Sequence, residues 1–187
     1  AHAELESLAP HLHLPLQSGS SAVLKAMRRT YDRRRYMDRV ELIREHCPDI
    51  AITTDIILGF PGETDEDFAE TIEVCEEVGF DGAFTFVYSP RRETEAATFE
   101  DRFVDPDVAS ARIATLVELI QRQARERAQR FVGRTLDVLV EGTSRTDAGR
   151  LRGRTGHNKG VNFEGVAAPG QIVPVTITAA SSQTLAG

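Results

Sequence analysis

Polar residues follow three apolar, strand-like runs in the first half of the chain. Alternating residues over 12–16, 50–59 and 84–88 predict strands, and the helical periodicity between these runs predicts parallel strand–helix repeats. Parallel strands end at one shared edge, where small molecules bind. The candidate site residues at that edge are Gln17, Ser18, Ser20, Asp55, Gly59 and Gly62, followed by Tyr88–Arg91 after the third strand.

Asp55 is the most informative of these residues because it lies on the inward side of an otherwise apolar strand. A carboxylate in that position is costly unless it has a partner. It contacts a ligand, or a backbone amide or arginine satisfies it, and the sequence leaves both readings open. Gly59 and Gly62 surround a turn into a helix. They serve the backbone geometry there, or they leave room for an anionic group at the helix N-terminus.

Two other kinds of site find little support in the sequence. His11 and His13 are two residues apart on one strand and could share a metal, but no third ligand follows at a suitable spacing. Ser18 and Ser20 have no His and Asp in a recognisable arrangement, which argues against a hydrolase.

Composition is ordinary for a globular protein, with 41% hydrophobic and 27% charged residues. Cys47 and Cys75 belong to no CxxC-type group, so we expect thiols rather than a metal site or a disulfide. No apolar run approaches the roughly 20 residues of a membrane span, and no leader-like segment begins the chain. These features predict a cytoplasmic protein. The first residue is Ala, which favours a piece of a longer protein.

Charge is distributed unevenly along the chain. From Arg127 onward there are 8 Lys or Arg and 4 Asp or Glu, a net charge of +4, whereas the preceding residues carry a net charge of −11. Basic residues that alternate along short strands suit a phosphate backbone. We therefore predict RNA binding over a merely solvated surface, and the candidate RNA contacts are Arg150, Arg152, Arg154, Lys159 and Asn162.

The elements that must position these residues form two domains, predicted at 1–126 and 127–187. The first is α/β and contains three parallel strands, too few to close a barrel, so it needs partner strands to cover its apolar faces. Asp105-Pro106 opens a long helix that leads to the second domain. There the period changes from 3.6 to 2, and short strands between Gly-rich turns predict a small antiparallel barrel.

The motifs and their order resemble those of a known protein family. HLPLQSGS (13–20), TDIILGFPGET (54–64) and FTFVYSPR (84–91) resemble the later strands of a radical-SAM methylthiotransferase barrel. VGRTLDVLVEG (132–142) and GRTGHNKGVNF (153–163) resemble the OB-like TRAM barrel that follows it and holds RNA. Within the family, the chain is most similar to the members that act on N6-dimethylallyladenosine in tRNA.

The resemblance implies a cofactor site and a reaction. Members of that family hold two 4Fe-4S clusters through two sets of three cysteines, and one cluster binds S-adenosylmethionine. None of these cysteines occurs in this sequence. Gln17, Ser18, Ser20, Asp55 and the Gly59–Gly62 turn match the cofactor rim. A 5′-deoxyadenosyl radical would abstract the adenine C2 hydrogen before a methylthio group is inserted. The chain alone is expected to be inactive and to bind no iron.

The resemblance implies that the partner is the anticodon stem-loop of tRNA and that the full-length enzyme is a monomer. It does not identify the sulfur donor.

One departure from the family pattern is Arg92–Ala96, where relatives carry Pro-Gly-Thr-Pro-Ala. Three alternatives remain. Two are sister enzymes that modify a ribosomal-protein aspartate or threonylcarbamoyladenosine, and the third is a non-catalytic RNA-binding module.

Overall fold

The computed structural model describes residues 2, 4–5, 7–91, 94–145 and 147–187. Within these residues the first half forms the predicted strand–helix repeat. Its sheet has the order β1-β2-β3 with both pairs parallel. The strands are β1 His11–His13, β2 Ala51–Leu58 and β3 Gly82–Val87. The helices are α1 Ser21–Ala26, α2 Arg33–His46, α3 Asp65–Val78 and α4 Pro106–Ala128.

Capping residues mark the helix ends in the structure, including the start that Asp105-Pro106 predicts for α4. Thr64 and Asp67 form a reciprocal capping box at the start of α3, and Gly79 ends this helix in the left-handed conformation. Asp105 caps α4 through the amide of Asp107, with Pro106 in the first turn. These local signals explain where α3 and α4 begin and where α3 ends.

The two faces of the parallel sheet differ in what covers them. Ile52, Ile56 and Leu58 are wholly buried and pack under the helices. On the opposite face Phe84 and Phe86 are 64% and 51% exposed. The prediction that three strands leave an apolar face uncovered is thus confirmed for the described part of the chain.

The second sheet is curled and has the order β7-β4-β5-β6-β9-β8. Its strands are β4 Thr135–Thr143, β5 Leu151–Thr155, β6 Gly160–Phe163, β7 Ile172–Thr176, β8 Ala179–Ala180 and β9 Thr184–Ala186. The small β-barrel predicted for this region is confirmed as a curled sheet, but it is mixed rather than purely antiparallel. The β8–β9 hairpin returns the chain so that β9 pairs in parallel with β6. Two-residue and three-residue strands are too short for period-2 reasoning to detect.

The two sheets meet around Asp81, just before β3. Its carboxylate, 1% exposed, accepts hydrogen bonds from the Ile52 amide (3.0 Å), Arg127 Nε (3.1 Å) and Arg130 Nη1 (2.7 Å). Lys159 Nζ donates to the Asp81 carbonyl oxygen at 2.6 Å. The second domain therefore docks at the amino-terminal ends of β2 and β3, opposite the predicted cofactor rim.

The proposed division between residues 126 and 127 falls within the last turn of α4. Ile120 packs into the core of the first domain, whereas Ala128 packs into the core of the second. The helix thus passes from one core to the other without a linker, and we keep this division as a proposal.

Replacing Asp81 by Asn should lower the free energy of unfolding by about 3 kcal/mol, because it removes the buried carboxylate that pairs with the partly buried guanidinium groups of Arg127 and Arg130. Urea denaturation measures the change. Asp49→Asn is the matched control, since Asp49 pairs with Arg130, Arg134 and His157 across the same junction but is half exposed, and its loss should cost less than about 1 kcal/mol. Equal losses for the two variants would contradict this account.

Candidate functional site

The carboxyl-terminal ends of the three parallel strands surround a cleft of about 500 Å³. Its wall includes Gln17 after β1, Asp55 on β2, and Phe86 and Tyr88 at the end of β3. Arg91 closes one side. We name this space the rim cleft. The structure thus brings together one predicted residue from each of the first two strands, as the parallel topology requires.

Gln17 turns the chain at the rim through a left-handed backbone with φ of +68°. Its N–H donates to the Asp55 carbonyl oxygen and its carbonyl oxygen accepts from Ile57 N–H, both at 2.8 Å. Residues other than glycine seldom adopt this conformation, and those that do concentrate at functional sites. The strain is held by the hydrogen bonds to β2.

Asp55 has a partner that the sequence reasoning did not consider. Its Oδ2 lies 3.3 Å from His13 Nε2, so the carboxylate pairs with histidine rather than with arginine. Thr53 Oγ1 bonds the other ring nitrogen of His13 at 3.1 Å and His11 Nε2 at 2.9 Å. Burial and the neighbouring His13 lower the pKa of His11. The register of β1 beside β2, with His13 opposite Thr53, is the signal that could have revealed this chain of contacts.

Ser18 and Ser20 lie beneath the rim rather than on its surface. Ser20 Oγ accepts from the amides at the start of α1 and donates to Asp67 Oδ1, which links α1 to α3. Ser18 Oγ lies 3.4 Å from Thr71 Oγ1. Both side chains are buried and engaged within the protein, so the structure gives them a shaping role. Their direct contact with a cofactor stays a prediction.

The amides of the Gly59–Gly62 turn are also engaged within the chain. Gly59 and Gly62 have φ of +72° and +86°, which glycine adopts without strain. Gly59 N–H donates to Glu63 Oε1 at 3.0 Å, and Gly62 N–H donates to the Arg102 carbonyl oxygen. In the second reading of the sequence an anionic ligand would use these amides, but the Gly59 amide is already bonded to the chain's own Glu63 carboxylate.

A buried ion pair holds this turn to α4. Arg112 Nη1 lies 2.7 Å from Glu63 Oε1, and its Nη2 lies 2.7 Å from Asp65 Oδ1. Burial raises the pKa of Glu63, while Arg112 favours its charged form. Sequence reasoning missed Arg112, because nothing in an amphipathic helix marks one arginine as pointing inward.

The outer face of β5 carries the predicted RNA contacts of the second domain. Arg152 and Arg154 lie on the same face and approach Glu141 at 3.2 and 2.9 Å, and the hydrogen bond from Arg154 lowers the pKa of Glu141. They border a depression of about 340 Å³. Asn162 lies beside Arg152 on β6, and Arg150 pairs with Glu164 at 3.2 Å. These four residues are accessible on one surface.

Lys159 has a different setting from the other predicted RNA contacts. Its side chain is buried between the domains, where Nζ donates to the Asp81 carbonyl oxygen. Burial lowers the pKa of Lys159. The ammonium group therefore serves the domain junction, and its contact with RNA stays a prediction.

Of the Arg92–Ala96 departure, Arg92 and Glu93 lie outside the described residues. Thr94 and Ala96 line the rim cleft.

No helix among the described residues is long and apolar enough to cross a membrane.

Comparison with known families matches both halves of the chain. The model of the radical SAM superfamily matches residues 3–75, and the model of the TRAM domain matches residues 129–187. Curated relatives named tRNA-2-methylthio-N(6)-dimethylallyladenosine synthase match almost the whole chain. The relative from Acidothermus cellulolyticus is 49% identical over 189 residues, which cover 99% of this chain and 38% of the relative. The relative from Clostridium botulinum strain Hall is 46% identical over 188 residues, or 100% of this chain and 42% of the relative.

The chain combines a radical SAM segment with a TRAM domain, and its similarity to the 2-methylthio-adenosine synthases extends over nearly its whole length. The resemblance predicted from the motifs is thus confirmed. The chain spans about two fifths of the length of the curated relatives it matches. Among solved structures, Escherichia coli coproporphyrinogen III oxidase (HemN), a radical SAM enzyme, matches with a TM-score of 0.50 and 18% identity over 61% of this chain and 27% of that chain. That likeness supports the fold alone.

Membership of the radical SAM superfamily implies S-adenosylmethionine and iron–sulfur chemistry in general. No group of three or more His, Cys, Asp or Glu among the described residues could hold a metal ion. Cys75 is wholly buried, which raises its pKa to about 12, and Cys47 is half-buried. The described residues therefore do not fit a cluster. The rim cleft does fit a small polar ligand, since it has room and the Asp55 carboxylate at its wall.

Asp67→Asn should destabilise the radical SAM part by about 1–2 kcal/mol at pH 7. Burial opposes ionisation of Asp67, but hydrogen bonds from Ser20 and Thr64 outweigh it and hold its pKa below the ordinary value. The stabilisation is therefore present above the unfolded-state pKa of about 3.9 and is lost as pH falls through the folded-state pKa. Urea unfolding should show the two proteins converging as the pH falls below the unfolded-state pKa.

Glu66→Gln removes the same charge from the same turn of α3 and is the control. Glu66 is exposed, so its loss should cost no more than about 0.5 kcal/mol. A constant difference between Asp67→Asn and the unaltered protein across the pH range would count against the role given to the Asp67 carboxylate.

Proposed function

We propose that this chain supplies the cofactor rim and the RNA-holding domain of a tRNA methylthiotransferase. The enzyme adds a methylthio group to C2 of N6-dimethylallyladenosine next to the anticodon. The observation that carries the proposal is a ligand-sized cleft at the carboxyl ends of radical SAM strands, in one chain with a TRAM domain. The names of the relatives favour this substrate over the ribosomal-protein and threonylcarbamoyladenosine alternatives.

The rim residues have distinct tasks in this proposal. Asp55 offers hydrogen-bond acceptors to a ligand in the rim cleft, and His13 and Thr53 orient its carboxylate. Gln17 closes the wall, while Ser18, Ser20, Gly59 and Gly62 keep the surrounding loops in shape. When bound, S-adenosylmethionine supplies the radical that activates the adenine C2 position. We also propose two 4Fe-4S clusters held by cysteines that this chain does not contain.

The TRAM domain holds tRNA in this proposal, through Arg150, Arg152, Arg154 and Asn162. Phosphate oxygens would replace Glu141 and Glu164 as partners of the arginines, because an arginine fork binds phosphate as well as carboxylate. A second cleft, of about 350 Å³, runs from Arg152 and Arg154 to Phe84 on the open sheet face. RNA on the arginines therefore lies beside the open face of the barrel. A tRNA substrate also favours a cytoplasmic location for the enzyme.

Deleting the gene should abolish 2-methylthio-N6-dimethylallyladenosine in bulk tRNA and leave N6-dimethylallyladenosine in its place. Mass spectrometry of digested tRNA from the deleted and complemented strains measures both nucleosides. An unchanged level of the methylthiolated nucleoside in the deleted strain would overturn the proposed function.

Arg152→Ala with Arg154→Ala should weaken binding of an anticodon stem-loop RNA and reduce the salt dependence of binding by about 0.7 per lost phosphate contact. Fluorescence anisotropy at several KCl concentrations measures both quantities. Glu141→Gln changes the charge in the opposite direction on the same face and should tighten binding. Unchanged affinity in the double alanine variant would rule out this face as the RNA contact.

A further inference from the structure

Four basic side chains border another cavity, of about 590 Å³, next to the rim cleft. They are Lys25, Arg28 and Arg29 at the end of α1, and Arg102 from the segment before α4. We name them the rim basic patch. Tyr88 lies in the walls of both cavities, so the patch and the rim cleft are continuous.

Most of the charge of the rim basic patch is not neutralised. Within the described part of the chain, only Arg28 has a carboxylate partner, Glu95, and this pair is exposed. Lys25 and Arg29 are exposed on the surface and form no ion pair with any residue that the structure describes. The Arg102 guanidinium stacks 5.5 Å from the centre of the Phe99 ring. A planar cation on an aromatic ring beside free cations is a common arrangement in nucleic-acid-binding surfaces.

The rim basic patch is unusual for the part of the chain in which it lies. Residues before Arg127 carry a net charge of −11, and α3 alone begins with Asp65, Glu66 and Asp67. Glu100 and Asp101 flank Arg102 in sequence but do not line the cavity. A polyanion approaching the radical SAM part would be repelled over most of its surface and attracted at this cavity.

The position of the TRAM domain creates a need for such a patch. Its arginines lie beside Gly82 at the amino-terminal end of β3, whereas the rim cleft lies beyond Val87 at the other end. These two points are five residues apart along the strand, or about 17 Å. Contacts at the TRAM domain alone would leave the RNA unsupported where its base enters the cleft.

We propose that the rim basic patch binds the RNA phosphates next to the nucleotide whose base enters the rim cleft. This inference rests on the proposed function and adds a second RNA anchor, at the end of the barrel opposite the TRAM domain. Lys25, Arg29 and Arg102 supply the contacts directly, and Arg28 joins them when phosphate displaces Glu95. RNA therefore spans the open face between two basic anchors.

The test compares RNA binding by the chain and by Lys25→Gln with Arg29→Gln. The probe is an anticodon stem-loop RNA, measured by fluorescence anisotropy in a KCl series. The double variant should bind roughly tenfold more weakly and lower the salt slope by about 1.4, which corresponds to two single-strand phosphate contacts. Arg39→Gln with Arg125→Gln is the control, because it removes two exposed charges without ion pairs from α2 and α4 and should leave affinity unchanged.

Each outcome has a separate meaning. If the unaltered chain does not bind the RNA, the tRNA partner of the proposed function fails and the inference fails with it. If the unaltered chain binds and the double variant binds equally well, only the rim anchor is overturned. Calorimetry with S-adenosylmethionine is the second measurement. Lost cofactor binding with unchanged RNA binding would assign the cations to the cofactor and also overturn the inference. Glu95→Gln, which frees Arg28, should strengthen RNA binding.

Discussion

The carboxylate of Asp81 is buried where the two sheets meet, and a charge in that position costs several kcal/mol unless it is fully paired. Its pairing with Arg127, Arg130 and the Ile52 amide draws the end of α4 onto the amino-terminal end of β2. Lys159 adds a bond from the TRAM domain. These bonds join the end of α4, the parallel sheet and the TRAM domain at one point, so they fix the orientation of the TRAM domain on the radical SAM part.

This orientation separates two tasks. The carboxyl-terminal ends of the strands remain free for the rim cleft, while the TRAM arginines lie at the other end of the same open face. Interdomain contacts and the cofactor rim therefore do not compete for the same strand ends. The same geometry explains why basic residues are needed at both ends of the open sheet face. RNA held only at the TRAM domain would be anchored far from the proposed site of chemistry.

The rim itself depends on groups that contribute indirectly. Ser20 and Asp67 join α1 to α3, and Glu63 and Arg112 join the Gly59–Gly62 turn to α4. Sequence patterns placed several of these residues at the rim, because strand ends and glycine turns are local features. Their exact tasks were not predictable, since a serine that caps a helix and a serine that contacts a ligand occur in the same kind of segment. The pairing of His13 with Asp55 and that of Arg112 with Glu63 were missed because the partners lie 42 and 49 residues apart.

The sequence by itself determined the family, the strand–helix repeat, the helix ends and the change to a second, basic domain. All of these follow from local periodicity, capping residues and the order of the motifs. Only the tertiary structure decided which end of the barrel the TRAM domain covers and which cations remain free. Lys159, indistinguishable in sequence from its basic neighbours, is buried against Asp81, whereas Lys25 and Arg29 remain exposed beside the cleft. The physical reason is that burial and pairing depend on contacts between residues that are distant in the chain.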